Sequence, residues 1–170
     1  MEPLFPSNAV KAQFPKYTLD AFSYGTAVKK LYGIPAAVEN IGLVVNTKLV
    51  KVPKTFKQLE TTALAQKKKA HLSFGIAVQQ GSGGDAYHMY PFFSGLGGYI
   101  FGRNKAGNLD PSDIGVANPV FLKNASMIDR WNKEGLINSK VDGSTAQAAF
   151  TSKKAAFWIT GPWNSDTLKK

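Results

Sequence analysis

The stretch Tyr32-Gly33-Ile34-Pro35-Ala36-Ala37-Val38-Glu39-Asn40-Ile41-Gly42-Leu43-Val44-Val45-Asn46 decides how this chain is read. Residues 28–38 and 41–46 are rich in Val, Ile and Tyr, and each run reads as a strand. No Asn-Gly or Asp-Gly pair stands between them, so nothing closes them into a tight hairpin. Glu39 is the lone charge in the quoted stretch. A single charge in an apolar extended segment is costly unless something pairs with it. That partner could be a ligand, which makes Glu39 a candidate binding residue.

Working outward, helical and strand-like segments alternate. Thr18 to Tyr24 reads as a short helix with Thr18 as N-cap and Gly25 as its end. Pro53-Lys54-Thr55-Phe56 opens a longer helix, with Thr55 as N-cap and an apolar stripe of Phe56, Leu59, Ala63 and Leu64. Its closing Lys67-Lys68-Lys69 suits the negative end of the helix dipole. Leu72 to Ile76 reads as a buried strand. After a glycine-rich loop at 81–84, Asp85 caps a helix running through Tyr90, Phe93 and Leu96 to Gly97-Gly98. Asn118 to Glu134 reads as one amphipathic helix with Phe121, Leu122, Ile128 and Trp131 facing inward and Gly135 as its stop. Ser144 caps a small helix to Phe150, and Ala155 to Thr160 is a strand leading into Gly161-Pro162-Trp163. This alternation predicts an α/β sandwich around a mixed sheet flanked by helices.

Hydrophobic residues make up 44% of the 170-residue chain and charged residues 19%, a globular composition. No run approaches the roughly 20 apolar residues that cross a bilayer. Met1 to Pro6 lacks a basic and then apolar start, so no export signal is read there. The chain has no cysteine, which excludes disulfides, thiol catalysis and cysteine zinc sites within it. The formal net charge of +10 raises the question of a polyanion partner. The lysines are scattered, however, and arginine, the better reader of phosphates and bases, occurs only at Arg103 and Arg130. The expectation is a solvated lysine surface without a nucleic-acid partner.

Little in the chain matches a catalytic or cofactor motif. Gly81-Ser82-Gly83-Gly84 lacks the Gly-Lys-Ser/Thr ending of a phosphate loop. His71 and His88 are too far apart for a helical ligand pair, so no metal is expected; His71 reads as a solvent-facing or helix-capping residue. No Gly-x-Ser-x-Gly elbow is present. Glu39 and Asp85 leave one enzymatic alternative open, a paired-carboxylate glycan hydrolase. The aromatic residues say more. Tyr87, His88 and Tyr90 cluster at one helix start, and Trp163 follows the Gly161-Pro162 turn. Aromatic faces bury the C–H faces of sugars while carboxylates bond the hydroxyl rim. Tyr87 could equally fill a core, and His88 could serve structure or support.

These pieces in this order, with Gly97-Gly98-Tyr99, Ala148-Ala149-Phe150 and Ile159-Thr160-Gly161-Pro162-Trp163, resemble the solute-binding proteins of bacterial ABC sugar importers, the maltose/maltodextrin type in particular. The resemblance runs from about Phe14 to Trp163. It implies a periplasmic-binding-protein type II-like lobe, incomplete relative to a two-lobed fold about twice as long. Residues 1–38 would be a remnant of the N-terminal lobe and hinge crossover, and residues 39–170 the main part of the C-terminal lobe. It further implies that Glu39 accepts sugar hydroxyls at the hinge, that Trp163 and Tyr87 stack on sugar, and that Asp85 and His88 belong to the ligand segment. The segment Asp85-Ala86-Tyr87-His88 departs from the family's Glu-Pro-Tyr-aromatic pattern by carrying Asp for Glu and Ala for Pro. The implied partners are an oligosaccharide and, in a full-length parent, the importer's permease subunits. No cofactor and no chemistry are implied, and the implied location of the full-length parent is periplasmic or extracellular and membrane-associated. Uncovered apolar faces would favour self-association of the shorter chain.

Overall fold

The computed structural model describes residues 7–25 and 29–169, apart from the side chains of Ser7 and Val10. The reading of Met1 to Pro6 and the start of the expected strand at residue 28 lie outside the described residues. The chain divides into two compact units, Met1–Asn40 and Ile41–Lys170.

In the first unit, α1 (Ser7–Gln13) and α2 (Lys16–Ala21) precede a small antiparallel pair of β1 (Ser23–Tyr24) and β2 (Lys30–Leu31). Thr18 is not the cap expected of it. It lies inside α2, buried, with its hydroxyl donating back to the Pro15 carbonyl at 2.7 Å, and Pro15 stands at the N-cap. The strand expected over 28–38 shortens to Lys30–Leu31. Two residues explain the loss. Pro35 has no N–H for a ladder, and Gly33 runs against the Phe22 ring so closely that a Cβ would sit 2.6 Å from Cδ1.

The second unit is built on a buried strand. β3 (Gly42–Val45) and β6 (Phe157–Thr160) pair antiparallel, with Leu43 opposite Ile159 and Val44 opposite Trp158. On the other side of β6, Ala77 makes a parallel bridge to Trp158, its N–H donating to Phe157 O and its carbonyl accepting from Ile159 N, both at 2.9 Å. One strand thus has both an antiparallel and a parallel neighbour, and every residue of β6 is buried, as a strand covered on both faces should be. The expected strand over 72–76 is instead a buried segment over 74–78 that bends at Gly75 and Ile76 and makes a single bridge, at Ala77. A Cβ on Gly75 would come 3.0 Å from the Ala63 backbone, so this glycine lets α3 (Phe56–Ala70) lie directly on the segment.

Local chemistry sets the helix limits. Thr55 accepts from Gln58 N, Gln58 Oε1 accepts from Lys54 N, and His71 closes α3 in the left-handed conformation at φ 54° while remaining exposed. The expected helix over 118–134 is interrupted at Ala125, giving α5 (Pro119–Asn124) and α6 (Ser126–Glu134), and Leu122 points to solvent. α7 (Gly143–Thr151) is capped by Asp142, with Ser144 donating to the same carboxylate. Between α4 (Ala86–Gly95) and α5 the chain forms a hairpin of β4 (Phe101–Arg103) and β5 (Leu109–Ile114) that the sequence reading did not anticipate. A short α8 (Ser165–Leu168) ends the described chain.

Leu59, Ala63, Ile76, Val78, Phe92, Trp131, Leu136, Ile137 and Phe157 make the main core. One carboxylate lies within it. Glu60, 5% exposed, accepts from Arg130 at 2.7 Å, Trp131 Nε1 at 3.2 Å and Lys57 at 3.2 Å. Burial pushes its carboxyl up, and the bonds and charges of Lys57, Arg130 and Trp131 outweigh that to hold it below the ordinary value. Buried charge survives where it is paired, and here the pairing joins α3 to α6.

Candidate ligand-binding site

The site is assembled from two backbone features of the second unit. The first is the entry to α4. Gln80 N and Gly81 N both donate to Val141 O, Gly81 and Gly84 turn the chain with φ of 64° and 74°, and Asp85 caps the helix. Left-handed backbone of that kind favours glycine, so these two glycines let the loop turn into α4. Asp85 Oδ1 accepts from His88 N at 2.9 Å, while Oδ2 accepts from Gln79 Nε2 at 2.7 Å and lies 2.9 Å from His88 Nδ1. Burial pushes the Asp85 carboxyl up; the bonds from His88 N, Gln79 and the His88 ring overcome this and hold it below its ordinary value.

The second feature is the exit from β6. Thr160 is buried, Gly161 is extended, and Pro162–Asn164 makes a single 3₁₀ turn that places Trp163. Asn164 fixes the turn, its N–H donating to Gly161 O at 3.1 Å and its side chain to Thr160 Oγ1 at 2.8 Å. The indole lies across Gly161, whose missing side chain leaves the space: a Cβ there would overlap the six-membered ring.

Three of the residues expected from sequence therefore meet. The ring centroids are 5.6 Å apart for Tyr87 and His88, 5.8 Å for His88 and Trp163, and 6.3 Å for Tyr87 and Trp163. His88 is edge-on to both neighbours, at 86° and 78°, and is 5% exposed; Tyr87 is 50% and Trp163 45% exposed. A buried imidazole thus supports two half-open aromatic surfaces, with Asp85 beside it. Tyr90 is exposed and pairs instead with Phe93, at 6.0 Å. Glu39 lies in the first unit, exposed, in a stretch outside any helix or strand.

One residue of the arrangement was not singled out in the sequence, and another has a further role. Gln79, which holds Asp85, had only its place ahead of the glycine turn as a signal. Gly161 was read as a turn former, and it does open the 3₁₀ turn, but it also leaves the space that the indole fills. Among the described residues no group of three or more His, Asp or Glu could hold a metal, and no helix is long and apolar enough to cross a membrane. A groove of about 570 Å³ lined by Val45, Lys48, Phe150, Thr151, Lys153 and Leu168 contains none of these site residues.

The sequence model of one family, bacterial extracellular solute-binding protein, matches residues 3–170. The chain belongs to that family. Among solute-binding relatives, it is 38% identical over 145 residues to the galactooligosaccharide-binding protein of Bacillus subtilis, covering 82% of this chain and 34% of that one. It is 32% identical over 153 residues to the maltodextrin-binding protein MdxE of the same organism, covering 83% and 34%. A maltooligosaccharide ABC transporter solute-binding lipoprotein of Streptococcus pneumoniae is 30% identical over 151 residues, covering 82% and 34%. The chain therefore spans about a third of the length of these curated relatives, less than the half expected from sequence. Among solved structures, a cyclo/maltodextrin-binding protein complexed with maltotetraose superposes with a TM-score of 0.70 at 29% identity, over 95% of this chain and 40% of that one. The maltose-maltodextrin binding protein of Alicyclobacillus acidocaldarius gives 0.67 at 26%, over 94% and 40%. The solute-binding fold is thus present in part, as an α/β lobe of the maltodextrin-binding type.

Proposed function

We propose that this chain binds an oligosaccharide without chemical conversion, as part of the receptor of an ABC importer. The observation that carries the proposal is the half-exposed pair Tyr87 and Trp163, set on the buried His88 ring. Such a surface takes the apolar face of a sugar ring, and aromatic area buried there supplies affinity without chemistry. Asp85 retains capacity for one more donor, since an ionised carboxylate has about four lone-pair sites and three donors already face it. Glu39 is assigned as a further hydroxyl acceptor on the family resemblance. Residues 1–38 and 39–170 are assigned to parts of the N-terminal and C-terminal lobes on the same ground.

The state of Asp85 bears on the hydrolase alternative: a glycosidase's general acid needs a raised pKa to hold its proton near neutrality, and Asp85 is held down, which takes it out of that one role. The permease subunits of an importer, an extracellular location at the membrane and self-association of the exposed apolar faces complete the proposal.

The test is a titration of the 170-residue chain with maltotetraose and, separately, with a galactooligosaccharide, followed by NMR. The expected result is saturable shifts at Tyr87 and Trp163, lost in Trp163→Ala, with the sugars recovered intact. Shifts confined to other residues, or cleaved sugar, would reject the assignment.

A further inference from the structure

Gln79, Asp85, His88 and Trp163 form a continuous chain of contacts. Asp85 Oδ2 accepts from Gln79 Nε2 at 2.7 Å and from the His88 ring at 2.9 Å, and that ring meets the indole edge-on at 5.8 Å. An ionised carboxylate only accepts, so the proton of this bond belongs to Nδ1 of the imidazole. In the neutral ring, Nε2 is then a bare lone pair. That atom is sealed from solvent and has no hydrogen-bond partner among the described residues. A buried polar atom without a partner is uncommon and calls for a reason. The second unit also makes room for the chain of contacts. Gly143, at the start of α7, has no side chain where a Cβ would come 2.8 Å from Gln79 Oε1.

From this arrangement we infer that Gln79, Asp85 and His88 are positioning residues that fix the indole of Trp163. The carboxylate selects the Nδ1–H tautomer and ring orientation of His88, Gln79 holds the carboxylate, and the imidazole edge holds the indole in the pose it presents to a ligand. The unpartnered Nε2 follows from this geometry: the ring is turned to satisfy Asp85 and pack Trp163, at the expense of its other nitrogen. The titratable groups that bonds or ring contacts set against the imidazole are Asp85 and Tyr87, both from its own helix segment. Gln79 and Trp163 bring none. The indole's value as a sugar platform rests on the function proposed above, but its positioning does not.

Two variants separate the two ideas. Asp85→Asn keeps an oxygen for the helix cap, where Asn serves as well as Asp. It replaces the acceptor at Oδ2 by a donor, or costs the cap if the amide turns over. Gln79→Ala leaves the cap untouched and removes one donor, so it remains informative if the first variant folds poorly. The probes are ¹⁵N shifts of the His88 ring and the Trp163 indole N–H resonance, read without sugar. The native chain should show Nδ1–H. Asp85→Asn should move the proton to Nε2 and shift the indole resonance, and Gln79→Ala should shift that resonance less, in the same direction. Maltotetraose affinity of Gln79→Ala should fall a few-fold. An Nε2–H tautomer in the native chain, or an indole resonance unmoved in both variants, would overturn the inference whatever the sugar does. Native shifts and variant responses as expected with no sugar binding would uphold the positioning role and remove the sugar-binding reading alone.

Discussion

Replacing Gly161 by alanine tests the site through a single methyl group. Gly161 has φ −122° and ψ −175°, extended backbone that alanine adopts freely, so its role is to leave space. A Cβ would overlap Cζ3 and Cη2 of Trp163 and lie 2.7 Å from Cε3, where ordinary contact begins at 3.4 Å. The indole must withdraw by about 1 Å or change rotamer. Loosening its contacts with His88 and Tyr87 costs about 0.5–1.5 kcal/mol. Replacing a glycine at a compatible conformation returns about 0.4–1 kcal/mol by narrowing the unfolded ensemble. The two nearly cancel, so the thermal midpoint should move by less than about 4 °C. Binding should respond far more. With Trp163 45% exposed, about 110 Å² of a roughly 250 Å² residue surface is available. A sugar covering half of it gains about 1.4 kcal/mol, or about tenfold in affinity. The assay is thermal denaturation alongside an NMR titration with maltotetraose. An unmoved indole N–H resonance with unchanged affinity would refute the steric argument.

Three further outcomes follow from the fold. Lys153 sits at φ 59° where the chain leaves α7, in the Schellman position with Lys154 N bonded to Ala149 O. Since left-handed backbone costs a non-glycine residue about 1–2 kcal/mol, Lys153→Gly should stabilise by about 0.5–1 kcal/mol, and a lower denaturation midpoint would refute that account. Glu60 and Asp85 both have lowered folded-state pKa values. Their stabilisation is complete above the unfolded carboxylate range of about 4–4.5 and is lost as pH falls through the lower folded values. Urea unfolding should therefore weaken below about pH 4.5, with a shallower acid limb in Glu60→Gln; an identical limb would rule Glu60 out as a cause. Phe157 is 0% exposed in the central strand, so Phe157→Ala should cost about 3–5 kcal/mol in chemical denaturation; a loss under about 1 kcal/mol would show that the core lies elsewhere.

Much was legible because its cause is local. α3 follows from a threonine cap, an apolar stripe and a lysine-rich end, all within one run of sequence. Asp85 as a cap needs only the helix that follows it, and the buried strand before Gly161 announces itself by composition. The ordered set of motifs was enough to indicate the solute-binding family. Where sequence reading erred, single residues inside a run broke its pattern. Gly33 and Pro35 ended an apolar run that otherwise reads as strand, and Leu122 fits an inward stripe until the helix breaks at Ala125. The β4–β5 hairpin was not read at all.

What the sequence determined by itself was therefore the α/β class, the caps and the residue types suited to carbohydrate. Each depends on interactions spanning a turn or two of chain. Only the tertiary structure decided that Tyr87, His88 and Trp163 share one cluster, that Gln79 holds Asp85, and that Gly161 exists to be covered by an indole. The shared cluster depends on packing between α4 and the turn after β6, segments far apart in the chain, and no periodicity within either segment encodes the distance between them. The other two are side-chain placements that spacing alone does not set.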